Sequence, residues 1–346
     1  MALLVLITGT GRSGTSTMSG TLHHLGLSVP GPYLGANETN PKGFYESKWA
    51  VKFHKRLQAA AGIADFDGNP QAIVRAQAAV TDEIRAELVR WLRRWDGDEQ
   101  VVVKDPRSVW AQMLWHDAAA EVGRDIRYIS MLRHPAESIG SRSTYYVSKD
   151  SPNRDRYETF TTARWINNQI ISERETRGQV RAFVQYTDLL EDWRPVAARL
   201  RDELGLTYDS DLGRDEHHAV DDFIEPSLRR HGVSWDGMAV PQRLVDLAEA
   251  VWTDVVALGE HGGVDEKASA DLDVQGERYR EIFSEASAIA HDATEHAKID
   301  ARRKGLAEGQ QSAGAGEPKV AETGGRDLLR EVGRRAVRRL RAKAGR

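Results

Sequence analysis

The sequence has no cysteine. Disulfides, thiolate metal sites and thiol nucleophiles are excluded together. It has no run of about 20 apolar residues, so no transmembrane helix is expected. The apolar stretch Leu3–Ile7 is too short for a secretory signal and has no basic flank, so it reads as a strand. Strong overall charge is also missing: 48 Lys/Arg against 52 Asp/Glu leave −4 over 346 residues. That balance hides an asymmetry. Residues 326–346 carry nine Lys/Arg and two Asp/Glu, a net of +7, which leaves −11 on the 325 residues before them. An acidic body is not the footprint of a nucleic-acid binder. Together these absences fit a cytoplasmic protein. With 40% hydrophobic residues the chain has ample material for a buried core.

What is there centres on residues 3–16, LLVLITGTGRSGTS. A strand ends in a small-residue loop, and a helical pattern runs from Thr15 to Leu25. Strand, glycine loop and helix make a phosphate cradle: the glycines let successive N–H groups converge, and the helix aims its positive end at the same point. Gly9, four residues, Gly14, then Thr15 and Ser16 fit the P-loop frame, but Thr15 stands where that frame has its lysine. The cation is Arg12, inside the loop. A nucleoside triphosphatase uses the missing lysine on the β- and γ-phosphates, so a different anion is expected here.

Three more strands follow. Val101–Val103 is a continuous apolar run that ends in Lys104-Asp105-Pro106-Arg107. Ile126–Leu132 runs into Arg133-His134-Pro135, with Ser141 about two turns into the next helix. Val180–Tyr186 is the fourth. Helices are expected over residues 70–95, from Ser108 (as cap) to Val122, over 159–176, from Tyr186 to about Leu204, over 241–258 and over 265–304, with a polar loop at 145–158. The alternation predicts an α/β fold: a P-loop-type parallel sheet flanked by helices, with helical insertions and a helical C-terminal region. The expected organisation is a domain over 1–260, a helical extension over 261–304, a disordered linker over 305–325 and a basic amphipathic tail helix over 326–346. Such a tail, Arg326–Arg346, suits an anionic membrane surface on the inner face; a solvated tail or a contact with the acidic body is the plainer alternative.

Two of these motifs together resemble the PAPS-dependent sulfotransferases, in particular a bacterial, carbohydrate-directed branch. Arg12-Ser13-Gly14-Thr15-Ser16 is similar to their 5′-phosphosulfate loop, and Arg133 with Ser141 to their 3′-phosphate motif. The segment Asn40–Glu46 (NPKGFYE) resembles one whose acidic residue is the proposed general base. In cytosolic members a lysine comparable to Lys104 is followed two residues later by a catalytic histidine; here Pro106 stands there, which points to Glu46 first and Asp105 second. Tyr186-Thr187-Asp188-Leu189 matches a family segment in part, and Phe223–Arg230 resembles a late segment whose basic residue, here Arg229, approaches the nucleotide.

The resemblance implies transfer of a sulfuryl group from PAPS to a hydroxyl, with release of PAP and no metal. The acceptor implied is a glycan or glycolipid. Gly11, Arg12, Ser13, Gly14, Thr15, Ser16, Arg133, Ser141 and Arg229 would bind the nucleotide, and Arg12, Glu46, Lys104 and Asp105 would serve catalysis. Read from residues alone, Glu46 is equally an acid near a helix N-terminus, and Asp105 a partner for Lys104 or Arg107. Two competing functions stay open: a metabolite kinase with ATP and Mg²⁺ held by Ser16 and Asp105, and a nucleotide-binding module without catalysis.

Overall fold

The computed structural model describes residues 2–37, 40, 42–146, 151–213, 216–225 and 232–314. Arg229 and the tail 326–346 lie outside the described residues. Four strands form one parallel sheet: β1 (Leu3–Gly9), β2 (Gln100–Lys104), β3 (Asp125–Leu132) and β4 (Arg181–Gln185), in the order β2-β1-β3-β4. In register, Ile7 faces Lys104, Gly9 faces Met131 and Leu132 faces Gln185. The strands are parallel, so all four carboxyl ends share one edge. The chain crosses from one side of β1 to the other between β2 and β3. That reversal opens a crevice at the ends of β1 and β3, where open α/β sheets hold ligands.

Thirteen α-helices are described: α1 (Thr15–His24), α2 (Lys48–Ala61), α3 (Ala72–Ala78), α4 (Asp82–Leu92), α5 (Gln112–Glu121), α6 (Pro135–Tyr146), α7 (Arg154–Thr176), α8 (Tyr186–Glu191), α9 (Trp193–Leu204), α10 (Ala219–Phe223), α11 (Gln242–Glu260), α12 (Glu266–Ile289) and α13 (His291–Gly314). Those before Ser284 cover both faces of the sheet. Alternate residues of β1 divide between the two: Leu3, Val5 and Ile7 pack with Met18 and Leu22 of α1 and Trp193 of α9, whereas Leu4 and Leu6 pack with Phe53, Trp91 and Trp115. A third cluster joins Trp165 and Ile166 of α7 to Leu247 and Val251 of α11 and Leu272 and Tyr279 of α12. This compact unit runs through Ser284, and the described residues after it, 285–314, belong to a second unit.

The structure divides several elements that periodicity alone joins. The helix expected over 70–95 breaks at Thr81, whose Oγ1 accepts from Ile84 N and caps α4, with Asp82 and Glu83 in the favoured first turn. Asp192 caps α9 through the N–H of Arg194 at 3.1 Å and parts it from α8. Ser108 is not a cap: Asp105 caps a 3₁₀ turn, Pro106–Trp110, and α5 begins only at Gln112. α7 starts at Arg154, inside the stretch expected as loop. The 265–304 pattern divides at Ala290, and α13 continues past Gly305 to Gly314. One glycine costs a helix only about 1 kcal/mol, and the neighbouring Ala, Glu, Gln and Lys favour it.

Candidate functional site

The turn after β1 builds the centre of the site. Ser13 N donates to Thr10 O at 3.1 Å, and Arg12 sits at φ 74°. A non-glycine residue at positive φ is held there by its surroundings. Here the hold is double: Arg12 Nε donates to Ser141 Oγ at 3.2 Å, and Arg12 O accepts from Arg133 Nη1 at 2.8 Å. Gly14, at φ 90°, precedes α1, and a Cβ there would lie 2.1 Å from the Tyr186 ring. That ring lies 5.0 Å from the guanidinium carbon of Arg133. The 5′ loop and the Arg133/Ser141 pair, predicted as separate motifs, are one surface.

Several of its donors are unsatisfied. Arg133 is 5% exposed; its Nε donates to Glu137 at 3.3 Å, and its buried Nη2 has no hydrogen-bond partner among the described residues. Ser13 Oγ is likewise buried and unpartnered. Buried donors without partners are rare in folded proteins, and an anion in the crevice would satisfy both. A pocket of about 160 Å³ opens beside Arg133, with His134, Gln185, Thr187 and Trp252 in its wall.

Glu46 reaches the same edge from the segment before α2. Tyr45, at φ 48°, turns the chain, and Ser19 Oγ holds its carbonyl at 3.1 Å. The Glu46 carboxylate contacts Lys104 Nζ at the end of β2, and Lys104 Nζ donates onward to Ser16 Oγ at 3.1 Å. Lys104 is 1% exposed and Glu46 6%. Burial pushes the Lys104 ammonium down from its usual range, against the opposing pull of Glu46 and Asp105. Glu46, Lys104 and Ser16, far apart in sequence, form one chain of contacts against the loop.

Asp105, next to Lys104, belongs to a different network. Trp115 Nε1 donates to His54 Nε2 at 2.8 Å, and the Asp105 carboxylate lies 2.8 Å from His54 Nδ1. An indole N–H can only donate, so His54 carries its proton on Nδ1 and gives it to Asp105. Arg107 donates to Asp105 Oδ1 through its backbone N–H at 3.0 Å and through Nη1 at 2.9 Å. Burial alone would raise this carboxyl, but the contacts with His54 and Arg107 outweigh it and hold it at about 2. Both oxygens of Asp105 are therefore engaged away from the crevice. Sequence reasoning missed His54, since a lone histidine on an amphipathic helix carries no signal. It also missed Arg142 and Arg164, which lie beside the loop.

The family model described as "Sulfotransferase family" matches residues 5–210. A sulfotransferase domain from the Synechococcus PCC 7002 olefin synthase is similar in structure at 18% identity, covering 77% of this chain and 95% of that one, with a TM-score of 0.37. No curated protein matches the chain.

Proposed function

This chain belongs to the sulfotransferase family, and on that premise we propose that it moves a sulfuryl group from PAPS to an acceptor hydroxyl, releasing PAP and a sulfate ester. The observation that carries the donor assignment is the joined surface of Arg12, Ser141 and Arg133, with an unpartnered Nη2 and the Ser13 hydroxyl at its centre. The residues present fit a nucleotide bearing phosphates at both ends. Arg133 and Ser141 would take the 3′-phosphate; the loop from Gly11 to Ser16 and Arg12 would take the 5′-phosphosulfate. Arg229, which lies outside the described residues, is proposed as a further contact.

In the reaction the acceptor oxygen forms a bond to sulfur, and the bond from sulfur to the 5′-phosphate oxygen breaks. Negative charge grows on the leaving phosphate. Arg12, Lys104 and the loop N–H groups would stabilise it. The hydroxyl proton must leave, and Glu46, the neighbour of Lys104, would accept it. Asp105, the second candidate base, is better suited to positioning: its oxygens are occupied by His54 and Arg107. The same occupancy removes the Mg²⁺ ligand that a kinase would draw from it.

The acceptor proposed is a hydroxyl of a glycan or glycolipid, and the site of action the cytoplasm. Among the described residues no helix is long and apolar enough to cross a membrane. The basic tail, outside the described residues, would supply a peripheral contact with anionic lipid; a chain lacking 326–346 that still co-sediments with such vesicles removes that role. The donor is tested by calorimetry with PAP and with ATP, each with and without Mg²⁺. Tight, metal-independent PAP binding that Arg133→Ala abolishes is expected. Mg²⁺-dependent ATP binding without preference for PAP would overturn it.

A further inference from the structure

One face of α1 joins the phosphate loop to the segment that carries Glu46. Ser16, Ser19, Gly20 and His23 recur at i, i+3, i+4 and i+7 and so share that face. Ser16 Oγ accepts from Lys104 Nζ at 3.1 Å. One turn on, Ser19 is fully buried, and its Oγ donates across 26 residues of chain to Tyr45 O at 3.1 Å. A serine inside a helix ordinarily turns its hydroxyl to solvent or to the carbonyl one turn back; this one reaches a distant segment instead. Gly20 clears the space beside it. A Cβ there would lie 2.2 Å from Phe223 Cζ and 3.0 Å from Tyr45 Cε2. The His23 ring closes the row, its centre 5.6 Å from that of Tyr45.

What this face grips is a strained residue. Tyr45 stands at φ 48°, a left-handed conformation that a bulky side chain keeps only where its surroundings impose it. Glu46, next to it, belongs to no helix or strand, since α2 begins at Lys48. A carboxylate on such a segment is aimed only as well as its backbone is held. Here the backbone is held on both sides: Ser19 binds the Tyr45 carbonyl, and Leu34 N donates to Glu46 O at 2.9 Å. The Phe223 ring backs the turn, 5.4 Å from the Tyr45 ring and at 81° to it. The Glu46 side chain then meets Lys104. Apolar packing alone asks for neither a left-handed tyrosine nor a helix serine bonded outside its own helix.

We propose that Ser19, with the space Gly20 leaves, is a positioning residue that acts through Tyr45 on Glu46. α1 then carries the donor's cradle at its N-terminus and sets the base on its flank. One rigid helix fixes the distance between the leaving phosphate and the group that takes the acceptor's proton. The inference rests on the sulfotransferase reading above for the use of Glu46, and adds to it the residues that aim that carboxylate.

Two readouts on the full chain test it. The first needs neither donor nor acceptor: the non-additivity of Lys104→Met and Glu46→Gln in urea midpoints, measured in the wild-type background and again with Ser19→Ala. Residues in contact couple, and a carboxylate that has lost its aim does not, so the non-additivity should largely vanish with Ser19→Ala. Non-additivity as large as in the wild type overturns the proposal, however much the variant lowers stability. A cooperative urea transition shows that Ser19→Ala is folded; if it is not, Gly20→Leu, which crowds the Tyr45 ring, takes its place with the same expectation. The second readout is transfer of sulfate from PAPS to neutral glycans and alkyl glycosides. Ser19→Ala should lower kcat by about tenfold to a hundredfold, the cost of displacing a reacting group by about 1 Å, with PAP affinity kept. In a Glu46→Gln background it should lower kcat no further, and an equal fall there overturns the proposal. A wild type that transfers to none of these probes sinks the reading above instead, and the urea cycle still decides whether Ser19 aims Glu46.

Discussion

Arg133 donates through Nη1 to the main-chain oxygen of Arg12 at 2.8 Å, across 121 residues of chain. The contact ties the end of β3 to the turn after β1, and it also holds Arg12 at its positive φ. Loop shape therefore depends on one guanidinium, the same one that the proposed function assigns to the 3′-phosphate.

Arg133→Lys should be a severe change although it keeps the charge. Lysine has no planar fork to reach Arg12 O, Glu137 and a phosphate together. PAP affinity should fall by about tenfold to a hundredfold, the worth of one or two charge-assisted hydrogen bonds. Titration calorimetry reads it, and affinity equal to wild type would refute the role.

Glu46→Gln should lower kcat by about 10²–10⁴ if Glu46 takes the acceptor proton, with PAP affinity unchanged. Lys104→Met leaves the Glu46 carboxylate buried and unpaired, which should cost about 3–5 kcal/mol of stability in urea unfolding. The double variant Lys104→Met/Glu46→Gln should recover most of that stability and none of the activity. Recovery of both would assign the pair to structure alone.

The Asp105 carboxyl titrates at about 2 rather than 3.8. A depressed carboxyl adds stability that is full above about pH 4 and disappears as pH falls toward 2, because the unfolded chain takes up the proton first. The shift is worth about 2 kcal/mol. Denaturant midpoints of wild type and Asp105→Asn should differ most near neutrality and converge between pH 4 and 2. A constant difference across that range would count against the assignment.

Gly14→Ala should destabilise the protein and weaken PAP binding together. An alanine at φ 90° is strained by about 1–3 kcal/mol, and its Cβ would displace Tyr186 from beside Arg133. A lowered melting temperature with intact PAP affinity would separate the loop from the nucleotide site.

The amino-acid sequence by itself determined the four strands, the loop after β1, and the Arg133–Ser141 spacing. These are local patterns: apolar runs of strand length, glycines at a turn, a helix behind each. It also identified Lys104 and Asp105 as candidates, because they lie at a strand end, and Glu46 through the resemblance of Asn40–Glu46 to a sulfotransferase segment. It could not divide the helices at Thr81 and Asp192, since periodicity continues through a capping residue. Only the tertiary structure decided the partners. Glu46 meets Lys104 over 58 residues, and Arg12 meets Ser141 over 129. His54 and Arg107 claim Asp105, which periodicity and spacing cannot rank against Glu46. Trp165 reads as core in the sequence and is core, yet its buried indole nitrogen has no hydrogen-bond partner among the described residues. The physical reason is common to all of these. Spacing fixes which face of an element a side chain occupies, but burial and charge are set by whatever folds against that face.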